Sequence, residues 1–381
     1  MNIKDFIQNN PYMVLGVFTT DSSGVIASNS SKMKAFAAIG KPVYFPQDMT
    51  CVLGTNPDRS GANVAASMSA IGLPKDRLIN GLFWFMNITE TDAGALTALA
   101  QDGNPLEARK LWEGGEQNMS SLQNQLMCCL LKDPRSYSKA IQLAWNLYTS
   151  YGKELVTMLS NGFEVISSDE LMSTFLCEII KSTDGDCRWW DKAVDRHGDD
   201  TVSLLWADAK ASHHISKLQS ALNLAKTTEI HSTGDHLDIA MRLMRTAEPH
   251  LRGLKDIIKK HSVLLSRYST IADAVCEEVL EREVSYYNRS LWEPTLKKRV
   301  LVLLRFCYRY AATIRFRERC KLNINITLGR KEDAPLFPNG TPDNLTSKGE
   351  RRMRNALICG ILEGLEENAG YGDFRYWSEF K

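Results

Sequence analysis

Residues 10–17 of this 381-residue chain read Asn-Pro-Tyr-Met-Val-Leu-Gly-Val, an apolar helical turn that ends at Gly16. Glycine is a common residue directly after a helix, because it adopts the left-handed backbone conformation without a Cβ penalty. A serine pair, a helical run to Gly40, a loop with proline and a second helical run follow. The stretch ends with Leu-Pro-Lys-Asp-Arg at 73–77. This order predicts a small unit of packed helices over residues 1–88.

The apolar residues of the remaining chain also recur at helical spacing. No run of alternating β-branched residues is long enough to indicate a large sheet. The sequence therefore predicts an all-α protein. We expect Leu78 to Met86 to form a buried helix that joins the first domain to the next, because this run is mostly apolar and aromatic.

The order of elements in residues 10–85 resembles a J-domain, the module by which co-chaperones of the DnaJ type engage Hsp70. The run PYMVLGV at 11–17 is similar to the family's YYEVLGV opening, and LPKDRL at 73–78 is similar to its DPEKR signature. The resemblance covers less than a quarter of the chain. It implies a J-like helical unit and an Hsp70-like partner.

J-domains stimulate Hsp70 through His-Pro-Asp in the loop between their second and third helices, and this chain lacks that histidine. Residues 45–48 read Phe-Pro-Gln-Asp, and residues 56–59 read Asn-Pro-Asp-Arg. Neither phenylalanine nor asparagine can carry a proton at neutral pH as histidine does. The resemblance leaves these candidates for contact with a partner: Pro46, Asp48, Pro57 and Asp58.

Residues 89–225 contain pairs of short helices with alternating small and large apolar residues. The run LAQDGNPLEARKLWE at 99–113 resembles the centre of a tetratricopeptide repeat, where small residues let two helices pack closely. YSKAIQLAWNLY at 137–148 is a possible degenerate second copy, but no strict 34-residue period is present. We therefore expect an irregular helical-repeat superhelix after the J-like unit.

The last third of the chain holds the longest helical patterns. Residues 226–328 are predicted to form a long-helix domain, with one helix interrupted at Pro249 and another continuous from Pro294 to about Leu328. Residues 329–349 are rich in proline and glycine and are predicted to be a linker. Residues 350–381 are predicted to form a terminal helix and an aromatic tail.

A basic segment lies within this long-helix domain. Residues 297–321 contain nine Lys and Arg and one acid, Glu318. On a single continuous helix, four arginines and Lys298 would share about a third of the circumference. Such a face is either solvated and paired with the acids at 277–283, or it binds phosphates, nucleic acid or an acidic protein. The candidate arginines are Arg305, Arg309, Arg315 and Arg319.

Composition and motifs point to no particular reaction. The formal net charge is +1, and the longest apolar runs are far shorter than a membrane span. We find no nucleotide-binding loop, no nucleophile elbow and no metal-finger spacing, so no cofactor or metal is predicted. His231, Asp235 and His236 could hold a metal only with a ligand from elsewhere in the chain.

The sequence favours a cytoplasmic protein-binding adaptor, or a co-chaperone-like scaffold that lacks His-Pro-Asp. Its partners would be proteins, with an Hsp70-like chaperone as one candidate. Two other classes remain open. One is a hydrolase or nuclease with a site built from mid-chain aspartates and histidines, and the other is nucleic-acid binding through residues 297–321. An enzyme is the less favoured class.

Overall fold

The computed structural model describes residues 3–289 and 294–328. In this part the chain is all-α, with many helices in contact and no strand, as the sequence predicts. The chain divides into two compact units, Met1–His213 and a second unit that begins at His214. The predicted linker at 329–349 and the predicted terminal helix and tail at 350–381 lie outside the described residues.

The first unit is built from short helices that are mostly separated by tight turns. In chain order these are α1 Ile3–Gln8, α2 Pro11–Leu15, α3 Ser23–Ala38, α4 Thr50–Leu53, α5 Gly61–Ala70, α6 Pro74–Gly81, α7 Glu90–Asp102, α8 Pro105–Glu113, α9 Met119–Leu131, α10 Tyr137–Leu159, α11 Leu171–Ser182 and α12 Arg188–His197. The next helix, α13 Asp200–Thr227, spans the residue at which the two units divide.

The helix ends of the N-terminal stretch follow local chemistry that the sequence contains. Asn10 accepts a hydrogen bond from the backbone N–H of Tyr12 and so caps α2. Gly16 ends the same helix at φ +62°, the left-handed region that glycine tolerates. Ser22 caps α3 by accepting from the N–H of Val25. Pro74 stands at the first position of α6, where its missing N–H costs nothing.

The apolar run at 78–86 is buried, but the predicted joining helix is wrong. Helix α6 ends at Gly81, and Leu82 to Met86 form an irregular segment whose side chains are fully buried. An irregular buried segment needs hydrogen-bonding partners for its backbone, because buried unpaired polar groups are costly. Helical spacing in a short apolar run cannot show whether other parts of the chain supply those partners.

Helix α9 supplies many of them. Every residue of α9 is buried. Gln123 Nε2 donates to the carbonyls of Leu82 and Trp84 at 2.9 and 3.0 Å. The Asn124 amide makes two bonds with the Met86 backbone, one donated to its carbonyl and one accepted from its N–H. These side chains form hydrogen bonds with the backbone of the segment, as neighbouring strands do with a strand of a sheet.

Asp92 is the centre of this polar network. It is fully buried and caps the start of α7 by accepting from the N–H groups of Ile88 and Thr89. It also accepts from three side chains at 2.7–3.0 Å: Trp112 Nε1, Ser120 Oγ and Asn124 Nδ2. Burial alone would raise the pKa of Asp92, but hydrogen bonds, first that from Ser120 and then those from the Thr89 and Ile88 backbone, hold it below its usual value.

Among the described residues, the second unit contains four long helices after α13. These are α14 Thr233–Lys260, α15 Leu265–Arg289, α16 Pro294–Tyr310 and α17 Ile314–Leu328. Helices α14 and α15 pack along their lengths, and α16 packs against α14, α15 and α17. Buried cysteines 276, 307 and 320 are among the residues of its interior.

Two helix boundaries in this unit differ from the sequence prediction. Helix α14 runs through Pro249, which is exposed, so the carbonyl left without its intrahelical donor faces the solvated side of the helix. Ala247 and Leu251 on either side are buried and keep the helix packed. By contrast, the helix predicted from Pro294 to Leu328 is interrupted between Tyr310 and Ile314, where Asp273 accepts from the N–H groups of Ala312 and Thr313.

We predict that Asp92→Ala lowers the free energy of unfolding of the first unit by roughly 3 kcal/mol, because it leaves several buried donors unpaired. Tryptophan fluorescence in a urea titration measures this, since six of the eight tryptophans lie in residues 1–213. The control is Glu90→Ala, an exposed acid in the same helical turn, which should change stability by less than about 0.5 kcal/mol. Equal effects of the two substitutions would contradict this role of Asp92.

The same carboxylate should make the first unit sensitive to acid. Because its folded pKa is lowered, its contribution is complete above the unfolded carboxyl pKa of about 3.9 and is lost as the pH falls through the folded value. The Asp92→Ala variant should therefore lose less stability than the wild type over that acid range.

Candidate partner-binding surfaces

The two proline-containing motifs of the N-terminal loop are joined by a buried ion pair. Arg59, which follows Asn56-Pro57-Asp58, lies against Asp48, which ends Phe45-Pro46-Gln47-Asp48. The shortest distance between the guanidinium and the carboxylate is 2.5 Å, and both side chains are more than nine-tenths buried. The arrangement is bidentate, because Nη1 also donates to the other carboxylate oxygen at 2.8 Å.

Arg59 also binds the stretch that opens the unit. Its Nε and Nη groups donate to the backbone carbonyls of Met13, Val14 and Val43 at 2.8–3.2 Å. Its guanidinium carbon lies 4.7 Å from the centre of the Phe45 ring. One arginine therefore connects helix α2 to both halves of the loop.

Gly16 completes this contact. A Cβ atom at Gly16 would lie only 2.3 Å from Cδ2 of Phe45, and the positive φ of this residue already disfavours other side chains. The glycine that ends α2 therefore makes room for the aromatic ring that covers Arg59. Gly16 belongs to residues 11–17, which are similar to a J-domain opening, and the packing of Phe45 in this chain requires a glycine there.

The four candidate loop residues have different environments. Asp48 is buried, accepts from the Phe45 N–H at 2.9 Å, and is saturated by that bond and by Arg59. Asp58 is exposed and accepts from the backbone and hydroxyl of Ser60, which caps α5. Pro46 is exposed and Pro57 is half-buried. Pro46, Pro57 and Asp58 thus present surface to a partner, whereas Asp48 positions the loop.

A pocket of about 280 Å³ lies between α3 and this loop. Met33 and Val43 form buried parts of its wall, and Tyr44 beside it is 58% exposed. Among the described residues, its charged lining residues are Lys41, which is exposed, and Arg59, whose charge is paired with Asp48. The pocket therefore combines apolar walls, an aromatic edge and positive charge, and its remaining lining residues are Ala37, Pro42, Asn56 and Pro57.

The chain on one side of the pocket contains no acidic residue over a long stretch, whereas the exposed Asp58 lies on the other side. From Ser22 to Gln47 the chain has three lysines, Lys32, Lys34 and Lys41, and no Asp or Glu. All three lysines are exposed. Val25 and Ile39, at the two ends of α3, are exposed apolar residues. Most of α3 is solvated, since only Ile26, Ser30 and Met33 are buried on it.

The basic segment at 297–321 does not form the continuous face that the sequence predicts. The break between α16 and α17 interrupts the helical register after Tyr310. Arg309 and Arg315 are exposed, whereas Arg305 and Arg319 are half-buried. Ile314 is 76% exposed because it begins the new helix.

Two ion pairs of this segment join it to α14 and not to residues 277–283. Arg299 contacts Asp238 at 2.5 Å and Arg309 contacts Glu248 at 3.5 Å, and both acids belong to α14. Glu278 pairs instead with Arg282 of its own helix at 2.7 Å. The charge of Arg319 does act on Glu283, as the expected pairing requires.

Glu283 is a buried carboxyl group of the second unit. Burial raises its pKa from an ordinary value of 4.5 to about 8, although the nearby Arg319 charge lowers it in part. Its Oε2 atom has no hydrogen-bonding partner in the described part of the chain. Glu283 is therefore protonated in the folded protein at neutral pH.

Neither the described histidines nor the described acids form a recognisable metal centre. Within residues 3–289 and 294–328, no group of three or more His, Cys, Asp or Glu side chains is arranged to hold a metal ion. Asp235 caps α14 through Ser232 and the backbone N–H of His231, and His236 is buried. Over the same residues, none of the helices has the length and apolar character needed to cross a membrane.

Comparisons of this chain with protein-family models, curated proteins and solved structures found no match. The J-like and tetratricopeptide-like interpretations therefore stay predictions that rest on the residues quoted above.

Sequence reasoning did not identify Arg59 as the residue that organises the loop. The available signal was a basic residue directly after Pro57-Asp58, 11 positions beyond a second aspartate. This spacing indicates nothing by itself, because the pairing depends on how the loop between α3 and α5 folds back.

We predict different effects of the two loop aspartates on stability. Asp48→Ala leaves the buried Arg59 without its carboxylate and should lower the free energy of unfolding by about 3–5 kcal/mol. Asp58→Ala removes only an exposed capping contact and should cost about 1 kcal/mol or less. Urea titrations of the intact chain, followed by tryptophan fluorescence, compare them. A larger loss for Asp58→Ala would show that the buried pair does not hold the loop.

We also predict that Glu283→Gln changes how the stability of the second unit depends on pH. Because the folded pKa of Glu283 is raised, its stabilising effect is complete below the unfolded pKa and is lost as the pH rises through about 8. The variant should melt at a higher temperature than the wild type at about pH 9, with little difference at about pH 5. The control is Glu277→Gln, an exposed acid on the same helix, which should show no such dependence.

Proposed function

We propose that this chain is a protein-binding adaptor whose first unit docks a partner on α3 and the adjoining pocket. The observation that carries the proposal is the pocket beside Tyr44, together with the acid-free stretch from Ser22 to Gln47 on one side of it. Exposed aromatic and apolar side chains next to positive charge favour an acidic segment of a partner protein that also carries an apolar or aromatic anchor. Lys32, Lys34 and Lys41 supply the charge.

The rigidity of the loop supports this proposal. Arg59 and Asp48 fix the loop from inside, so Pro46, Tyr44 and Pro57 are presented without a large ordering cost on binding. Binding a partner at a preformed surface of this kind requires no catalytic side chain. The J-like order of helices adds an Hsp70-like chaperone as one candidate partner, and the missing histidine makes docking, not stimulation of ATP hydrolysis, the proposed role.

Site-specific photo-crosslinking in cells tests the docking surface. A benzophenone amino acid at Tyr44 should yield a discrete crosslinked protein, and the same group at Phe163, an equally exposed aromatic position of the same unit, should not. Changing Lys32, Lys34 and Lys41 together to Glu should abolish the Tyr44 product while the protein keeps its circular dichroism spectrum. Crosslinking that is equal at both positions, or that survives the charge reversal, would refute the proposed surface.

The Hsp70 candidate is tested separately with purified proteins. In single-turnover assays, the intact chain should not accelerate ATP hydrolysis by the host's Hsp70, because neither Phe45 nor Asn56 replaces the histidine of the family motif. The positive control is an authentic J-domain protein of the same host. A several-fold acceleration that Asp58→Asn abolishes would show that the loop is active and that the docking-only role is wrong.

A further inference from the structure

The net charge of the whole chain is close to zero because its two units carry net charges of opposite sign. Residues 1–213 contain 18 Lys and Arg against 24 Asp and Glu. Residues 214–381 contain 28 Lys and Arg against 21 Asp and Glu. Such a division predicts a polyanionic partner for the basic part, which the charge of the whole chain does not reveal.

Much of this positive charge lies along one face of α14. The exposed residues of this face recur every three or four positions, as one stripe of an α-helix does. We call it the α14 stripe, and its members are Asp238, Arg242, Arg245, Pro249, Arg252, Asp256 and Lys259. From Arg242 to Lys259 the stripe is about 26 Å long at the rise of an α-helix.

The cations of the α14 stripe exceed what its acids neutralise. Asp256 is paired with Lys259 at 2.7 Å, and Asp238 with Arg299 of α16 at 2.5 Å, while Arg252 is paired with the neighbouring Glu248 at 3.4 Å. Within the described part of the chain, Arg242 and Arg245 have neither an acidic partner nor a hydrogen-bonded one. Their guanidinium groups are therefore available to a ligand.

More cations adjoin the C-terminal half of the stripe. Lys255 donates to the carbonyl of Arg309, and Arg317 donates to the carbonyl of Ala312 at 2.8 Å. Burial lowers the pKa of Lys255, and the charges of Arg317, Arg309 and Lys259 lower it further. These like charges are close enough to repel one another, and a bound anion would relieve the repulsion.

The composition of the stripe distinguishes nucleic acid from an acidic protein. Apart from Pro249 it contains only charged side chains, so it offers none of the large apolar anchors on which protein interfaces depend. Three of its four cations are arginines, whose planar guanidinium matches phosphate oxygens in a bidentate arrangement. We propose that the α14 stripe binds the phosphate backbone of a nucleic acid strand, without reading its sequence.

The test uses the intact chain and two fluorescent 20-mers, an unstructured single-stranded RNA and a duplex DNA. Anisotropy titrations at several salt concentrations should give micromolar affinity at low salt for at least one of them. The logarithm of the association constant should fall with the logarithm of the salt concentration. About four phosphate contacts give a slope of roughly −3 on a single strand.

Charge reversal localises the binding. Arg242→Glu, Arg245→Glu and Arg252→Glu together should weaken binding more than about tenfold and bring the salt slope close to zero. The corresponding lysine triple variant should keep most of the slope. A matched control reverses three exposed cations of the first unit, Lys139, Lys153 and Arg196, and should leave binding within about twofold. Circular dichroism verifies that each variant is folded.

Three results would overturn the proposal. The first is the absence of binding to both 20-mers at low salt. The second is equal weakening by the stripe variant and the control variant, which would mean that binding follows net charge alone. The third is tighter binding of polyglutamate than of either 20-mer in competition, which would indicate that the stripe binds an acidic protein.

Discussion

The first unit depends on hydrogen bonds from buried polar side chains to backbone groups. These bonds take the place of the backbone–backbone bonds of a helix or sheet. Leu82 to Met86 cross the interior without regular structure, and Gln123 and Asn124 of α9 bind their carbonyl and N–H groups. Asp92 binds Asn124 in turn, together with the cap of α7 and Trp112 of α8. A buried polar network of this kind is stabilising only when all of its polar groups are hydrogen-bonded. This requirement couples the positions of three helices and one irregular segment.

The loop between α3 and α5 is held in a similar way, because the buried Arg59–Asp48 pair must keep its polar groups hydrogen-bonded. A buried arginine has five donors to satisfy, and here they go to Asp48 and to three carbonyls from two parts of the chain. The residues that resemble a family motif therefore differ in their exposure to solvent. Asp48 serves the interior, whereas Pro46, Pro57 and Asp58 lie where a partner can reach them.

The two units differ in what their surfaces offer. The first is acidic as a whole but contains a lysine-bearing stretch without acids, residues 22–47, with exposed apolar and aromatic side chains beside a pocket. The second is basic, and its α14 stripe is long, charged and without large apolar side chains. The first kind of surface suits an anchored protein segment and the second suits a repeating polyanion, so the two proposals do not compete for one site.

The sequence by itself determined the all-α fold class and many of the N-terminal helix ends, because these depend on helical periodicity and on local capping by Asn10, Gly16, Ser22 and Pro74. Tertiary structure alone decided the features that depend on distant residues. Leu82 to Met86 are not helical because α9 satisfies their backbone. The helix that begins at Pro294 is interrupted after Tyr310, where Asp273 of a neighbouring helix caps the next one.

The proposed binding surfaces likewise could be predicted only in part from the sequence. The two loop motifs and an excess of positive charge near the C-terminal third could be predicted from residue types. The burial of Asp48, and the α14 stripe that continues through Pro249, could not. Sequence spacing shows which residues share a helix face, but only packing decides whether that face is buried, neutralised by a neighbouring helix or left open to a ligand.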